Sequence, residues 1–138
     1  SKPYHMESKG EAGNTFHRFI DEIGVPSEIL TDGAQELLFS YFGKLCQKFR
    51  IRQTRTEPYS PWQNPAELAG GTIKRKVRRL MKVTGTPVRL WDYCWDYVCM
   101  IRNYTASDNV YLDGMTPHQK VVGAMPNISE LIQFKWFD

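Results

Sequence analysis

Two carboxylates and a run of cations are the residues of this chain best suited to chemistry. Asp32 follows Ile29-Leu30-Thr31, a β-like run, and is itself followed by Gly33. In an α/β protein that is the edge where strands hand over to ligand-binding loops. Asp-Gly is equally a turn dipeptide, and Asp a good helix N-cap. Thirty-four residues separate Glu67 from Asp32, and Glu67 stands behind Asn64 and Pro65. That spacing reads as a capping box with Asn as N-cap, Pro as first helical residue and Glu as third. Further on, Lys74, Arg75, Lys76, Arg78, Arg79 and Lys82 put six cations into nine residues, with no acid between Leu68 and Trp91.

The net charge of +3 conceals this asymmetry. Residues 44–91 hold twelve basic and two acidic residues, whereas the remainder holds six and thirteen. One domain polarised to +10 and −7 points to a polyanion-facing side, against the plainer alternative of a solvated basic face.

The elements that must position these groups follow from periodicity. Residues 11–23 read as a helix with Ala12, Phe16, Phe19, Ile20 and Ile23 on one stripe, stopped by Gly24 and Pro26. Ile29 to Thr31 is a short strand. A second helix is expected over 34–49, with Leu37, Leu38, Tyr41, Phe42, Leu45 and Phe49 inward, and Ile51 to Thr56 is β-like. A third helix runs from Pro65 to Val83 and a fourth from Leu90 to Tyr104, the latter striped by Trp91, Cys94, Trp95, Val98 and Ile101. Thr116-Pro117 opens a short helix to Val122, and Leu131 to Phe137 is β-like. Strand, helix and strand in succession imply a right-handed parallel crossover, so the chain is α/β.

Length and composition set the bounds. With 138 residues, 41% of them apolar, the chain can bury roughly two-thirds of its unfolded surface. Its 24% charged and 13% aromatic residues exclude a low-complexity tail. No apolar run approaches the roughly 20 residues of a membrane span, so no membrane partner is expected, and Ser1-Lys2-Pro3-Tyr4-His5 does not read as a signal peptide. Cys46, Cys94 and Cys99 form no CxxC pair and are odd in number, which favours intracellular free thiols over disulfides or zinc. His5, His17 and His118 have no cysteine partners at ligand spacing and read as ordinary histidines; Trp91 and Trp95 read as core.

Several motifs then fall in a recognisable order. Thr31-Asp32-Gly33 is followed by Pro58-Tyr59-Ser60-Pro61-Trp62-Gln63-Asn64 and Glu67. Later come Leu80-Met81, Thr84-Gly85, Pro87, Leu90-Trp91-Asp92, Ile101-Arg102-Asn103-Tyr104-Thr105, Leu112-Asp113-Gly114 and Thr116-Pro117. Over nearly its whole length the chain resembles the catalytic core of retroviral-type integrases, most closely those of copia-type LTR retrotransposons. It departs from that pattern at Pro65-Ala66, in place of a longer Gly-containing step, and at Leu68, where a basic residue often follows the Glu.

The resemblance implies an RNase H-like fold, a mixed sheet flanked by helices, with an Asp–Asp–Glu triad that binds two Mg²⁺ or Mn²⁺ ions. Asp32 and Glu67 would be its second and third members, both catalytic and metal-binding. The first belongs on an opening strand upstream of the 11–23 helix; residues 1–7 contain no Asp, and helical Asp21 is a poor substitute. The expectation is an incomplete catalytic core over 1–125, lacking its N-terminal strands, and the start of a β segment over 126–138. The implied activity is 3′-processing and strand transfer on element ends and target DNA, in the nucleus after a cytoplasmic particle stage, by a homo-oligomer of the full-length protein. A non-catalytic nucleic-acid-binding remnant of a degenerate element is the alternative.

The third helix joins the two signals. At 100° per residue Glu67, Gly71, Lys74 and Arg78 fall within an arc of about 60°, on a different face from Ala66, Ala69, Ile73, Val77 and Leu80. Lys74, Arg75, Arg78, Arg79 and Lys82 are the expected DNA-phosphate contacts. Gly70 and Gly71 each cost about 1 kcal/mol within a helix, which leaves their purpose open.

Overall fold

The structure, a computed structural model, describes residues 2–31, 40–57, 64–108, 110–125, 127–129 and 136–137. Five α-helices and two strands are described: α1 (Ala12–Ile23), β1 (Glu28–Thr31), α2 (Tyr41–Lys48), β2 (Arg52–Arg55), α3 (Pro65–Thr84), α4 (Trp91–Tyr104) and α5 (Pro117–Val122). The chain is a mixed helix and sheet protein, dominated by helix and compatible with the α/β class. It divides into two compact units, Tyr4–Ala69 and a second made of Ser1–Pro3 with Gly70–Asp138.

In the first unit β1 and β2 pair in parallel, Glu28 opposite Arg52 and Thr31 opposite Arg55. Their ends are joined through the segment that contains α2, the strand–helix–strand order read from the sequence. Ile29 faces the core while Glu28 and Leu30 are exposed, the period of two that a strand with one packed face requires. Glu28 is anchored across the ladder, accepting from the Thr54 hydroxyl and lying 3.8 Å from Arg52.

Phe16, Ile20, Phe42, Leu45, Cys46 and Ile51 form the core of this unit, with Phe16 and Phe42 rings 4.6 Å apart. α1 is drawn close to α2 at Gly13: a Cβ there would stand 2.8 Å from two Tyr41 carbons and 3.0 Å from the Phe42 backbone nitrogen. Two stripe residues depart from expectation. Tyr41 is 43% exposed because it opens α2, and its hydroxyl bonds His17 Nδ1 at 2.9 Å instead of entering the core. Ile23 is 45% exposed at the last position of α1, beyond the reach of α2. Leu37 and Leu38 lie outside the described residues.

The second unit is built where α3 meets α4. Ile73 and Val77 pack against Cys94, Val98 and Cys99, with Leu80, Met81, Trp95 and Trp136 around them. Trp91, expected inward, is 52% exposed. It is the first residue of α4, directly after a 3₁₀ turn over Val88–Leu90, so small Cys94 takes the central position one turn later. The end of α3 is closed tightly. Gly85 adopts φ +68, which lets the Thr86 amide donate to the Met81 carbonyl at 3.1 Å. Thr86, buried, in turn accepts from the Trp136 indole at 2.9 Å and lies 2.6 Å from the Thr84 hydroxyl. α5 starts as its sequence predicts, with Thr116 Oγ1 accepting from the Gln119 amide at 3.0 Å and Pro117 in the first turn. Of the β-like run expected at 131–137, residues 131–135 lie outside the described residues, and Trp136 and Phe137 form a turn.

Candidate nucleic-acid interface

α3 is the element on which the sequence signals converge. Its N-terminus is fixed by Asn64, whose Oδ1 accepts from the amides of Ala66 at 3.1 Å and Glu67 at 3.3 Å. Those are two of the amides that a helix start leaves without intrahelical partners. The capping role read at this position therefore belongs to the Asn64 side chain and the Glu67 amide, while the Glu67 side chain is exposed in the first turn. Asp32 lies outside the described residues. Among the described residues, no three His, Cys, Asp or Glu side chains come together as metal ligands.

From Pro65 to Thr84 the helix is continuous, so its phase can be followed along the cations. Lys74, Arg75, Arg78 and Lys82 are exposed within an arc of about 100° that excludes buried Ile73 and Val77. The Arg75 guanidinium donates to Thr72 Oγ1 at 3.3 Å, one turn back. Among the described residues, nothing comes within 4 Å of a Cβ placed at Gly70 or Gly71. Packing therefore supplies no reason for two poor helix formers there.

Two further cations of the run are exposed as well. Lys76 and Arg79 line a cleft of about 1060 Å³ within the second unit, opposite Tyr97, Ile101 and Arg102 of α4. Arg79 is exposed and borders this cleft as well as the cationic side of the helix, so its expected phosphate contact stands beside its place in the lining. Sequence reading missed this cleft, although the phase of Thr72, Lys76 and Val83 on one side of α3 was a usable signal.

The remaining candidates have structural partners. His17 contacts the Tyr41 hydroxyl and lies 3.9 Å from Asp21, and His118 packs its ring 4.9 Å from that of Tyr104. The three cysteines are buried, and burial pushes each thiol pKa up. No helix among the described residues is long and apolar enough to cross a membrane. No family model matches the chain, and no curated protein matches it.

Proposed function

We propose that the chain is part of an integrase catalytic core of the copia-type LTR retrotransposon group, with an RNase H-like fold, and that α3 binds DNA through phosphate contacts. The exposed cationic face of α3, beginning one residue after Gly70–Gly71–Thr72–Ile73, carries this reading. Lys74, Arg75, Arg78 and Lys82 present four positive charges along one side of a continuous helix, and none has an acid within α3 beyond Glu67 to neutralise it. Phosphates spaced along a duplex suit such a row, and contacts of this kind set register without reading sequence. The parallel strand pair and the motif order from Thr31 to Pro117 support the family reading.

Asp32 and Glu67 would hold the divalent ions. Both offer hard carboxylate oxygens, the donor chemistry that Mg²⁺ and Mn²⁺ take. When bound, two such ions activate water or a DNA 3′-hydroxyl and stabilise the leaving oxygen. The chain's own contribution is to hold the backbone of Glu67 in a capped first turn and the DNA phosphates further along the same helix.

The test is duplex binding by the full chain across a salt series. Four phosphate contacts predict a slope of log affinity on log salt near −4, on the order of −0.9 per contact. Lys74→Glu with Arg78→Glu should cause the largest loss, equal for unrelated duplex sequences. Affinity indifferent to salt and to that double change would return the cationic run to a solvated face.

A further inference from the structure

The cleft between α3 and α4 has a different character from the outward face of α3. Leu80, Val83, Val98 and Ile101 give it an aliphatic lining, and Lys76, Arg79 and Arg102 add three cations. Asp108 is the one acid among the described residues that line it. At about 1060 Å³ it stands at the upper end of the roughly 300–1000 Å³ of small-molecule sites, but such sites bury most of their ligand. Its lining is also left open: Val83 is 77% and Tyr111 84% exposed. An extended apolar surface of this kind suits a segment laid across it more than a molecule enclosed by it.

Charge decides what kind of segment. The exposed cations Lys76 and Arg79, set among aliphatic side chains, are complementary to carboxylates flanking an apolar stripe. Nucleic acid would satisfy the cations and leave Leu80, Val83 and Ile101 without apolar cover. We propose that this cleft docks an acidic amphipathic helix of a partner protein, its apolar i, i+3, i+4 and i+7 side chains on the aliphatic lining and its Asp or Glu residues beside Lys76 and Arg79. The proposal is independent of DNA binding, because Lys76 and Val83 lie about 140–180° around α3 from Lys74 and Arg78 at 100° per residue.

The probe is a fluorescein-labelled peptide of about 15 residues, Leu at that helical spacing and Glu elsewhere, titrated with the full chain and read by anisotropy. Two controls accompany it: the same composition with Leu scrambled off one face, and Lys in place of every Glu. Saturable binding of the acidic amphipathic probe alone is expected. Lys76→Glu and Val83→Ser, both at exposed positions and each checked for retained helicity by circular dichroism, should each weaken it roughly fivefold, the scale of one surface charge pair or one covered aliphatic group. Lys74→Glu with Arg78→Glu should leave it within about twofold at 0.15 M salt, where the Debye length is about 8 Å, and lose duplex DNA instead. The inference is overturned if the scrambled probe binds equally, or if only the Lys74–Arg78 change releases the acidic probe. It is equally overturned if sedimentation shows a dimer that Val83→Ser dissociates, since a second copy of the chain would then cover the cleft. Failure of DNA binding alone would leave the peptide result standing.

Discussion

Gly13→Ala tests the packing of the first unit because two opposed effects meet there. Replacing a helical glycine by alanine ordinarily stabilises by about 1 kcal/mol. At Gly13 the new Cβ would come 2.8 Å from Tyr41 Cβ and Cδ1, which is 0.6 Å inside the 3.4 Å limit of ordinary contact, and 3.0 Å from the Phe42 nitrogen. The Tyr41 ring can turn, being 43% exposed, but its Cβ and the Phe42 backbone cannot move without shifting α2 from α1. Overpacking of this kind costs about 1–3 kcal/mol, so a net loss of about 1 kcal/mol is expected. Gly70→Ala and Gly71→Ala are the internal controls: with nothing among the described residues within 4 Å of either Cβ, each should gain about 1 kcal/mol. The difference between Gly13→Ala and Gly71→Ala, about 2 kcal/mol, is the quantity to measure. Because the chain forms two units, bulk melting need not be a single transition. Native-state hydrogen exchange of α1 and α2 amides therefore reports Gly13→Ala, and that of α3 amides the two controls. For a unit this small, 1 kcal/mol corresponds to roughly 4–8 °C in the melting midpoint. Stabilisation by Gly13→Ala equal to that by Gly71→Ala would mean that α1 and α2 do not approach at Gly13, and the packing argument would fall.

Three further outcomes can be checked. Burial raises the folded-state pKa of Cys46, Cys94 and Cys99, so at pH 8 iodoacetamide should modify the native chain far more slowly than the urea-unfolded one; equal rates would contradict their burial. Each raised thiol pKa contributes stability that is fully present below the unfolded value of roughly 8.5 and is lost as pH rises through the higher folded value. The urea midpoint should accordingly fall above that pH in the native chain, and fall less in a variant with all three cysteines changed to alanine. Millimolar Mn²⁺ should broaden amide resonances around Asp32 and Glu67 in one titration, weakly because two carboxylates compete poorly with hydration. Glu67→Gln should abolish both effects, and broadening at Glu67 with none at Asp32 would refute their pairing as ligands.

What the sequence determined by itself is local. The 3-and-4 spacing placed α1, α3 and α4 within a residue or two of their ends, because a stripe of Phe16, Ile20, Ile73, Val77 or Val98 can be buried only on a helix. Caps were legible for the same reason: the Asn64 oxygen and the Thr116 hydroxyl meet amides two or three residues ahead, whatever the rest of the chain does. The cationic run and its polarity needed only counting. The depth of each stripe residue was not legible, since it depends on a neighbour supplied from elsewhere in the chain. Trp91 and Tyr41 have core composition and surface positions, whereas Cys94 and Cys99 are buried because α3 brings Ile73 and Val77 against them. Tertiary packing likewise divided the cations of α3. Sequence proximity makes Lys76 and Arg79 members of one run with Lys74 and Arg78, but the position of α4 turns one side of that helix into a cleft and leaves the other to solvent. A periodicity fixes which residues share a face; only the packed partner fixes what that face meets.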